Sequence, residues 1–263
     1  MPCPNDDEYV YLSPAYRGVR DALARVAQDV VRRYPVRGVH LDRIRYPGRG
    51  YSYDPESLRR FGRDPNQEPE AWDRFRRSQV NATVRAAYEA ITAVDPALTL
   101  SASVWPIYRD RWGWNASQGY SWYFQDPHAW AKGGYLDVAV PMTYDPITRQ
   151  RCDRADWACL AEDHLTAYRE LSDRHVYLGV NARNGGEEIV RQIELGRELG
   201  AIGFAVYSFS QIDNRDLWSA LAQGPFRRPA SVPPQPWKLA PGPGDGTGGP
   251  ASDAATPSPN DSA

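Results

Sequence analysis

Five times along this chain a short apolar run is followed by a stretch of helical period, and that alternation restricts the fold more than any other feature. The runs are 36–41, 98–105, 136–142, 175–181 and 201–208; the stretches that follow them are 70–94, 127–132, 155–172, 187–199 and 213–221. Strands that are apolar on both faces belong to parallel sheets covered by helices, so the order predicts the α/β class. A helix over 17–34 precedes the first run, with Val19, Leu23, Val26 and Val30 spaced by four, three and four as its buried face, and Pro35 stops it. The 70–94 helix carries Trp72, Phe75, Val84, Tyr88 and Ile91 on its buried stripe, and residues 9–12 read as the end of another strand.

In folds of this class functional groups gather beyond the C-terminal ends of the strands. The segment 37–47, RGVHLDRIRYP, sets Asp42, Arg43, Arg45 and Tyr46 within five positions at such an end, ahead of a loop over 47–69 rich in Gly, Pro, Arg and Tyr. Side chains alternate along an extended segment, so either Asp42, Ile44 and Tyr46 or Arg43 and Arg45 face the cleft. His40 shares the face of Asp42 and reads as a hydrogen-bonded core residue rather than an acid or a ligand. The second run ends at Trp105, and the loop over 107–124 adds Tyr108, Trp112, Trp114, Tyr120, Trp122 and Tyr123. Flat aromatic faces stack on the apolar C–H faces of sugars as readily as they fill cores. At least one of these rings, Trp105 or Trp112 first, is therefore expected in a saccharide subsite, and the rest in packing the loop onto the rim. The later runs end in Tyr144 and Asp145, in Asn181, and in Tyr207 and Ser208.

The net charge of -2, from 31 basic and 33 acidic residues, gives no electrostatic case for a nucleic acid or an anionic membrane as partner. No apolar run is long enough for a transmembrane helix, and the first seven residues show no signal peptide. Histidines at 40, 128, 164 and 175 are scattered and there is no CxxC, so neither a metal nor a cofactor is expected. Cys152 and Cys159 lie seven apart: a disulfide forms if the loop before the 155–172 helix doubles back, whereas a continuous helix would hold the Cα atoms about 10 Å apart, too far. Both readings stay open. From 224 onward Pro, Gly, Ser and Ala dominate, so 1–223 is expected to be the folded domain and 224–263 a disordered tail.

GVHLDRIRYP at 38–47, SPAYRGVRD at 13–21, YLDVAVPMTYD at 135–145 and GFAVYSFS at 203–210 together resemble the bacterial glycosyl-hydrolase-like family 10 over about residues 9–222. GxHxDxxRYP is the most specific of these marks. The resemblance implies a (β/α)8 barrel of which this chain carries the fourth to eighth strands. The first three would be largely missing, making the chain a partial barrel with exposed sheet edges. It further implies an exported monomer that acts on bacterial cell-wall or another amino-sugar glycan. Glycoside cleavage needs two carboxyl groups flanking the bond. Asp42, ending the fourth barrel strand, is the first candidate, against a reading as the salt-bridge partner of Arg43 or Arg45. Asp145, ending the sixth, is its expected partner, as in α-galactosidase-like barrels, against a turn residue before Pro146.

The MTYD stretch is also similar to the sixth strand of family 18 chitinases, where the Tyr and Asp hold the N-acetyl group. Those enzymes carry an acid Glu two residues after the fourth-strand Asp, and this chain has Ile44 there. Arg43 and Arg45 would keep a carboxylate ionised or bind a substrate carboxylate, such as the lactyl group of a muramyl sugar. Tyr46, Trp105, Trp112, Tyr144, Asn181 and Tyr207 are the further expected substrate contacts. The alternative is a glycan-binding pseudoenzyme or an inactive fragment, since no strand end carries a Glu.

Overall fold

The computed structural model describes residues 10–148 and 152–238. Strands β1 (Gly38–Leu41), β2 (Thr99–Val104), β3 (Val138–Pro141) and β4 (His175–Val176) form one sheet in that spatial order, and β5 (Leu178–Asn181) pairs with β6 (Phe204–Tyr207). Every pairing is parallel. β4 and β5 are one extended run that changes neighbour at Tyr177. The Tyr177 N–H donates to the Ala139 carbonyl at 2.9 Å, and the next N–H, of Leu178, donates to the Gly203 carbonyl at 3.0 Å. The five expected strands are therefore present, the fourth in two pieces, and each crossover steps to the adjacent strand as in barrel-type α/β folds.

Helices α1 (Arg17–Arg33), α2 (Pro55–Phe61), α3 (Pro69–Thr92), α4 (Gly119–Trp122), α5 (Pro127–Lys132), α6 (Trp157–Leu171), α7 (Gly186–Glu198), α8 (Phe209–Asn214) and α9 (Trp218–Gln223) connect them. Carboxylates start three of these helices. Asp54 accepts the Ser57 N–H at 2.9 Å, Asp126 the Ala129 N–H at 3.1 Å and Asp156 the Ala158 N–H at 2.9 Å. α2 lies inside the loop expected over 47–69, and the single helix expected over 213–221 is instead α8 and α9, broken near Asp216, whose φ is +51°.

The core fills the space between sheet and helices: Leu100, Ala102 and Val104 of β2 meet a layer that includes Val84 and Ile91 of α3, Trp130 of α5, Trp157 of α6 and Ile189 of α7. Each large aliphatic chain fully buried there contributes roughly 1.5–3 kcal/mol. The expected buried stripe of α1 is half uncovered: Ala27 is its buried residue and Val26 is 61% exposed. The helix rests on α3, where Gln28 Nε2 donates to the Ala90 carbonyl at 3.1 Å, and its other flank lies along the sheet edge. Among the described residues β1 pairs with β2 alone and β6 with β5 alone. Exposed Ile202 and Phe209 flank the second of these edges.

Two expectations about the periphery are resolved. Cys152 and Cys159 form a disulfide with Cα atoms 5.8 Å apart, because only Cys159 lies in α6 and the preceding loop doubles back. Part of the segment expected as a tail is ordered: Pro236–Lys238 is a 3-10 turn, and Gln235, Trp237 and Lys238 bond to the ends of the sheet. Proline density hid an indole and an ammonium that find buried partners. Residues 239–263, the rest of that expected tail, lie outside the described residues.

Candidate functional site

The chain turns immediately after β1. Asp42 is exposed, and its Oδ1 accepts the Arg43 N–H at 2.8 Å, while Arg43 takes the left-handed conformation with φ +50°. That turn breaks the strict alternation expected along 42–46. Arg43 Nη1 donates to the Tyr11 hydroxyl at 3.1 Å, and the Arg45 guanidinium lies over the rings of Trp105 and Tyr123 at 5.1 and 5.9 Å. Burial lowers the Arg45 pKa, partly offset by the charges of Tyr11 and Asp42. Arg45 thus lies within the field of Asp42, while the Arg43 guanidinium is tied to Tyr11.

Tyr46, expected to touch substrate, is a core residue instead. It is 4% exposed, its ring meets Phe124 edge-on at 5.8 Å, its hydroxyl accepts from Ser52 Oγ at 3.1 Å, and burial pushes its pKa up to about 12. His40 is hydrogen-bonded as expected, Nδ1 to Ser101 Oγ at 2.9 Å and Nε2 to Ser103 Oγ at 2.8 Å. It lies at the open edge of the sheet rather than in the core, its surface exposed along β1 while its ring is partly covered by Ser101 and Ser103. Burial lowers its pKa and the charge of Asp42 opposes that shift.

Beyond β2, Trp105 is fixed at both ends. Its N–H donates to Gln125 Oε1 at 2.7 Å and its indole Nε1 to the Ser117 carbonyl at 2.8 Å, with the Tyr123 ring 4.1 Å away. Other rings of this loop pack on one another. Trp112 and Trp114 stack at 4.3 Å and 8°, Arg111 lies over Trp112 at 4.8 Å, and Trp114 Nε1 donates to the Cys152 carbonyl at 2.8 Å. Tyr108 donates to Asp126 Oδ1 at 3.0 Å, and burial foremost, then Asp126, raises its pKa.

After β3, Tyr144 stacks on Tyr207 with centroids 5.3 Å apart. Its pKa is pushed up to about 12, first by burial, then by Tyr207 and by the negative charge of Asp42. Asp145 is half-buried, and burial followed by the field of Asp156 raises its pKa against the hydrogen bond from its own N–H. Asp42 thus acts on Tyr144 through its charge, and Asp156 on Asp145.

Four side chains that sequence reasoning missed hold this loop. Asn184 Nδ2 donates to the Tyr144 carbonyl at 3.1 Å, Gln192 Nε2 to the Asp145 carbonyl at 3.0 Å, the Ile147 N–H to Glu188 Oε1 at 2.6 Å, and the Thr148 N–H to buried Asp156 at 2.6 Å. Asp156 was visible as a cap signal before α6; the others come from 40 to 47 residues away and left no local sign. Asn181 caps the 3-10 turn Ala182–Asn184 through the Arg183 N–H at 3.0 Å, and Tyr207 is 56% exposed. Among the described residues no group of three or more His, Cys, Asp or Glu is placed to hold a metal ion.

A sequentially ordered parallel sheet with a carboxylate, paired tyrosines and a braced tryptophan beyond its C-terminal ends has the layout of barrel-type α/β proteins. Residues 4–193 match the family described as Glycosyl hydrolase-like 10, and the chain belongs to that family. Glycosyl hydrolase YngK of Bacillus subtilis (strain 168) is 26% identical over 255 residues, covering 87% of this chain and 48% of that protein. Glycosyl hydrolase DigH of Escherichia coli (strain K12) is 26% identical over 152 residues, covering 54% of this chain and 33% of that protein. The chain thus spans about half or less of the curated relatives it matches. The catalytic domain of beta-amylase from Paenibacillus polymyxa shares the fold, with TM-score 0.61 and 11% identity over 83% of this chain and 71% of that one. Among the described residues no helix is long and apolar enough to cross a membrane.

Proposed function

We propose that this chain supplies the C-terminal part of a (β/α)8 glycoside hydrolase barrel, its strands corresponding to the fourth to eighth with β4 and β5 counted as one. The substrate is an amino-sugar glycan of the bacterial cell-wall kind, cut by an exported monomer without a cofactor. The observation that carries this reading is the Tyr144–Tyr207 stack at 5.3 Å beyond the strand ends, with the charge of Asp42 acting on Tyr144 and on Arg45, and Arg45 lying over Trp105.

Asp42 is the nucleophile, or the group that stabilises positive charge at the anomeric carbon. Asp145, whose pKa burial raises, is its proton-donating partner. Tyr144 and Tyr207 hold the sugar, Trp105 offers it a ring, and Arg43 and Arg45 face its acidic groups; Trp112 and Asn181 extend the cleft. The test is turnover of purified cell-wall glycan strands by this chain and by a version extended to the length of its relatives. Asp42→Asn is expected to cut turnover by roughly a hundredfold or more, and full turnover in that variant would overturn the assignment.

A second reading is a glycan-binding protein without hydrolysis, favoured by the lack of a Glu at any strand end. It predicts binding that survives Asp42→Asn and is lost in Trp105→Ala, with no product from either length.

A further inference from the structure

Asp137 immediately precedes β3, and its side chain is fully buried at the end of the sheet opposite the candidate site. One oxygen, Oδ2, accepts the Leu100 N–H at 2.8 Å. A carboxylate this deep needs a counter-charge and further donors; His175 at the start of β4 lies within its field, but burial lowers that imidazole's pKa, and no strand or helix supplies a charged hydrogen-bond partner in its described contacts. The counter-charge and donors come instead from the segment beyond α9. Lys238 Nζ lies 2.9 Å from Oδ2, and Trp237 Nε1 donates to Oδ1 at 2.7 Å.

The same segment is held at several other points. Lys238 Nζ also donates to the Leu98 carbonyl at 2.7 Å and to the Tyr88 hydroxyl at 3.2 Å, and it lies 4.5 Å from the Tyr88 ring centroid. The Trp237 ring meets His175 edge-on at 4.7 Å, with the Arg174 guanidinium over it at 4.5 Å. Thr99 Oγ1 donates to Gln235 Oε1 at 3.1 Å. These contacts touch the starts of β2, β3 and β4 in turn.

We infer that residues 235–238 are a strap across the N-terminal ends of β2, β3 and β4, which neutralises Asp137 and carries the folded domain on at least as far as Lys238. A chain ended at 223 would keep every strand and every long helix, yet leave a buried carboxylate uncompensated.

The sequence offers a clean probe, because lysine occurs only at 132 and 238. Lys132 is exposed at the end of α5, whereas the Lys238 side chain is 7% exposed. A lysine-specific endoprotease acting on the intact, folded chain is expected to cut at Lys132 or nowhere, and at Lys238 only on global unfolding. Prompt cleavage at Lys238 under native conditions would overturn the strap.

Thermal melting gives the second measurement. Lys238→Met is expected to lower Tm by on the order of 10 °C, and Asp137→Asn added to it should restore part of that loss, since the stranded charge is gone. A chain ended after Lys238 should melt above one ended after Gly224, which should melt no higher than Lys238→Met. Lys238→Met and Trp237→Ala both melting like the unchanged protein would reject the proposal. So would a simple sum of the Lys238→Met and Asp137→Asn effects, because partners in one buried pair do not act additively.

Discussion

Tyr144 and Tyr207 stack with ring centroids 5.3 Å apart and planes inclined by 21°, joining the loop after β3 to the end of β6 across the intervening β5. That contact depends on how close β5 comes to the loop after β3. Gly179 is the residue at the crossing: a Cβ built on it would lie 2.4 Å from the Pro141 carbonyl oxygen and 3.2 Å from the Tyr144 ring. The Gly179 carbonyl in turn accepts from Thr143 Oγ1 at 2.7 Å and from Trp157 Nε1 at 3.0 Å. The tyrosine pair is therefore set by a backbone approach that only glycine permits.

Gly179→Ala should accordingly injure both fold and site. The clash is with a backbone oxygen that cannot rotate away, so the loss should reach or exceed the roughly 1–3 kcal/mol of ordinary overpacking, or about 2–12 °C in Tm for a domain of this size. Saccharide affinity, measured by calorimetry on protein still folded, should fall as Tyr144 shifts. An unchanged melt would mean that β5 has room to move off β3.

Asp145 predicts a pH dependence whose sign is fixed. Its folded-state pKa is raised by burial and by Asp156, so its contribution to stability is fully present below the ordinary carboxylate value and is lost as pH rises through the raised one. Asp145→Asn has nearly the same shape and never ionises. The difference in Tm between the variant and its parent should shift in the variant's favour from about pH 3 toward neutrality, around an unfolded value of about 4. A difference that stays constant with pH would place the Asp145 carboxyl in ordinary contact with water.

The disulfide should couple stability to one aromatic pair. Closing the short loop between Cys152 and Cys159 is worth roughly 2–3 kcal/mol on a chain-entropy model. Reduction, or Cys152→Ser with Cys159→Ser, should therefore lower Tm by about 4–12 °C. It should also change the indole signals, since Trp114 Nε1 donates to the Cys152 carbonyl and Trp112 stacks on Trp114. Loss of stability with every Trp environment unchanged, read by NMR of the indole N–H groups, would show that the bridge acts through α6 alone.

How much of this was readable beforehand follows the range of the interactions. The helix expected over 127–132 is α5 to the residue, because Asp126, Pro127 and Gly133 punctuate it locally. α2 carries equally local signals, Asp54 as its cap, Pro55 at its first position and Gly62 in the left-handed conformation after it, and was masked by the Gly, Pro and Arg content of its surroundings. The strands were legible as apolar runs, but the interruption at Tyr177 was not, since it arises from a change of pairing partner. At the site, strand ends located Asp42, Tyr144 and Tyr207. The turn at Arg43 that closes on Asp42 depends on a single left-handed residue, and the clamps from Asn184, Glu188 and Gln192 join loops far apart in sequence. No periodicity encodes either.

Trp105 allows a test that separates stacking from bracing. Its ring packs beside both the Arg45 guanidinium and the Tyr123 ring, while its indole N–H holds the Ser117 carbonyl. If the ring is a sugar platform, Trp105→Phe keeps an aromatic face and should retain most saccharide affinity, though it loses the bond to Ser117. Trp105→Ala removes the face and should weaken binding by about tenfold or more, since a good aromatic contact is worth roughly 0.5–1.5 kcal/mol beyond its buried area. A purely bracing role gives a different pattern: both variants lose the Ser117 bond, so both should weaken binding alike and lower Tm together. Calorimetric titration with a chitin oligosaccharide beside a melting curve of each variant distinguishes the two, and equal affinity in Trp105→Ala and the parent would remove this ring from the cleft.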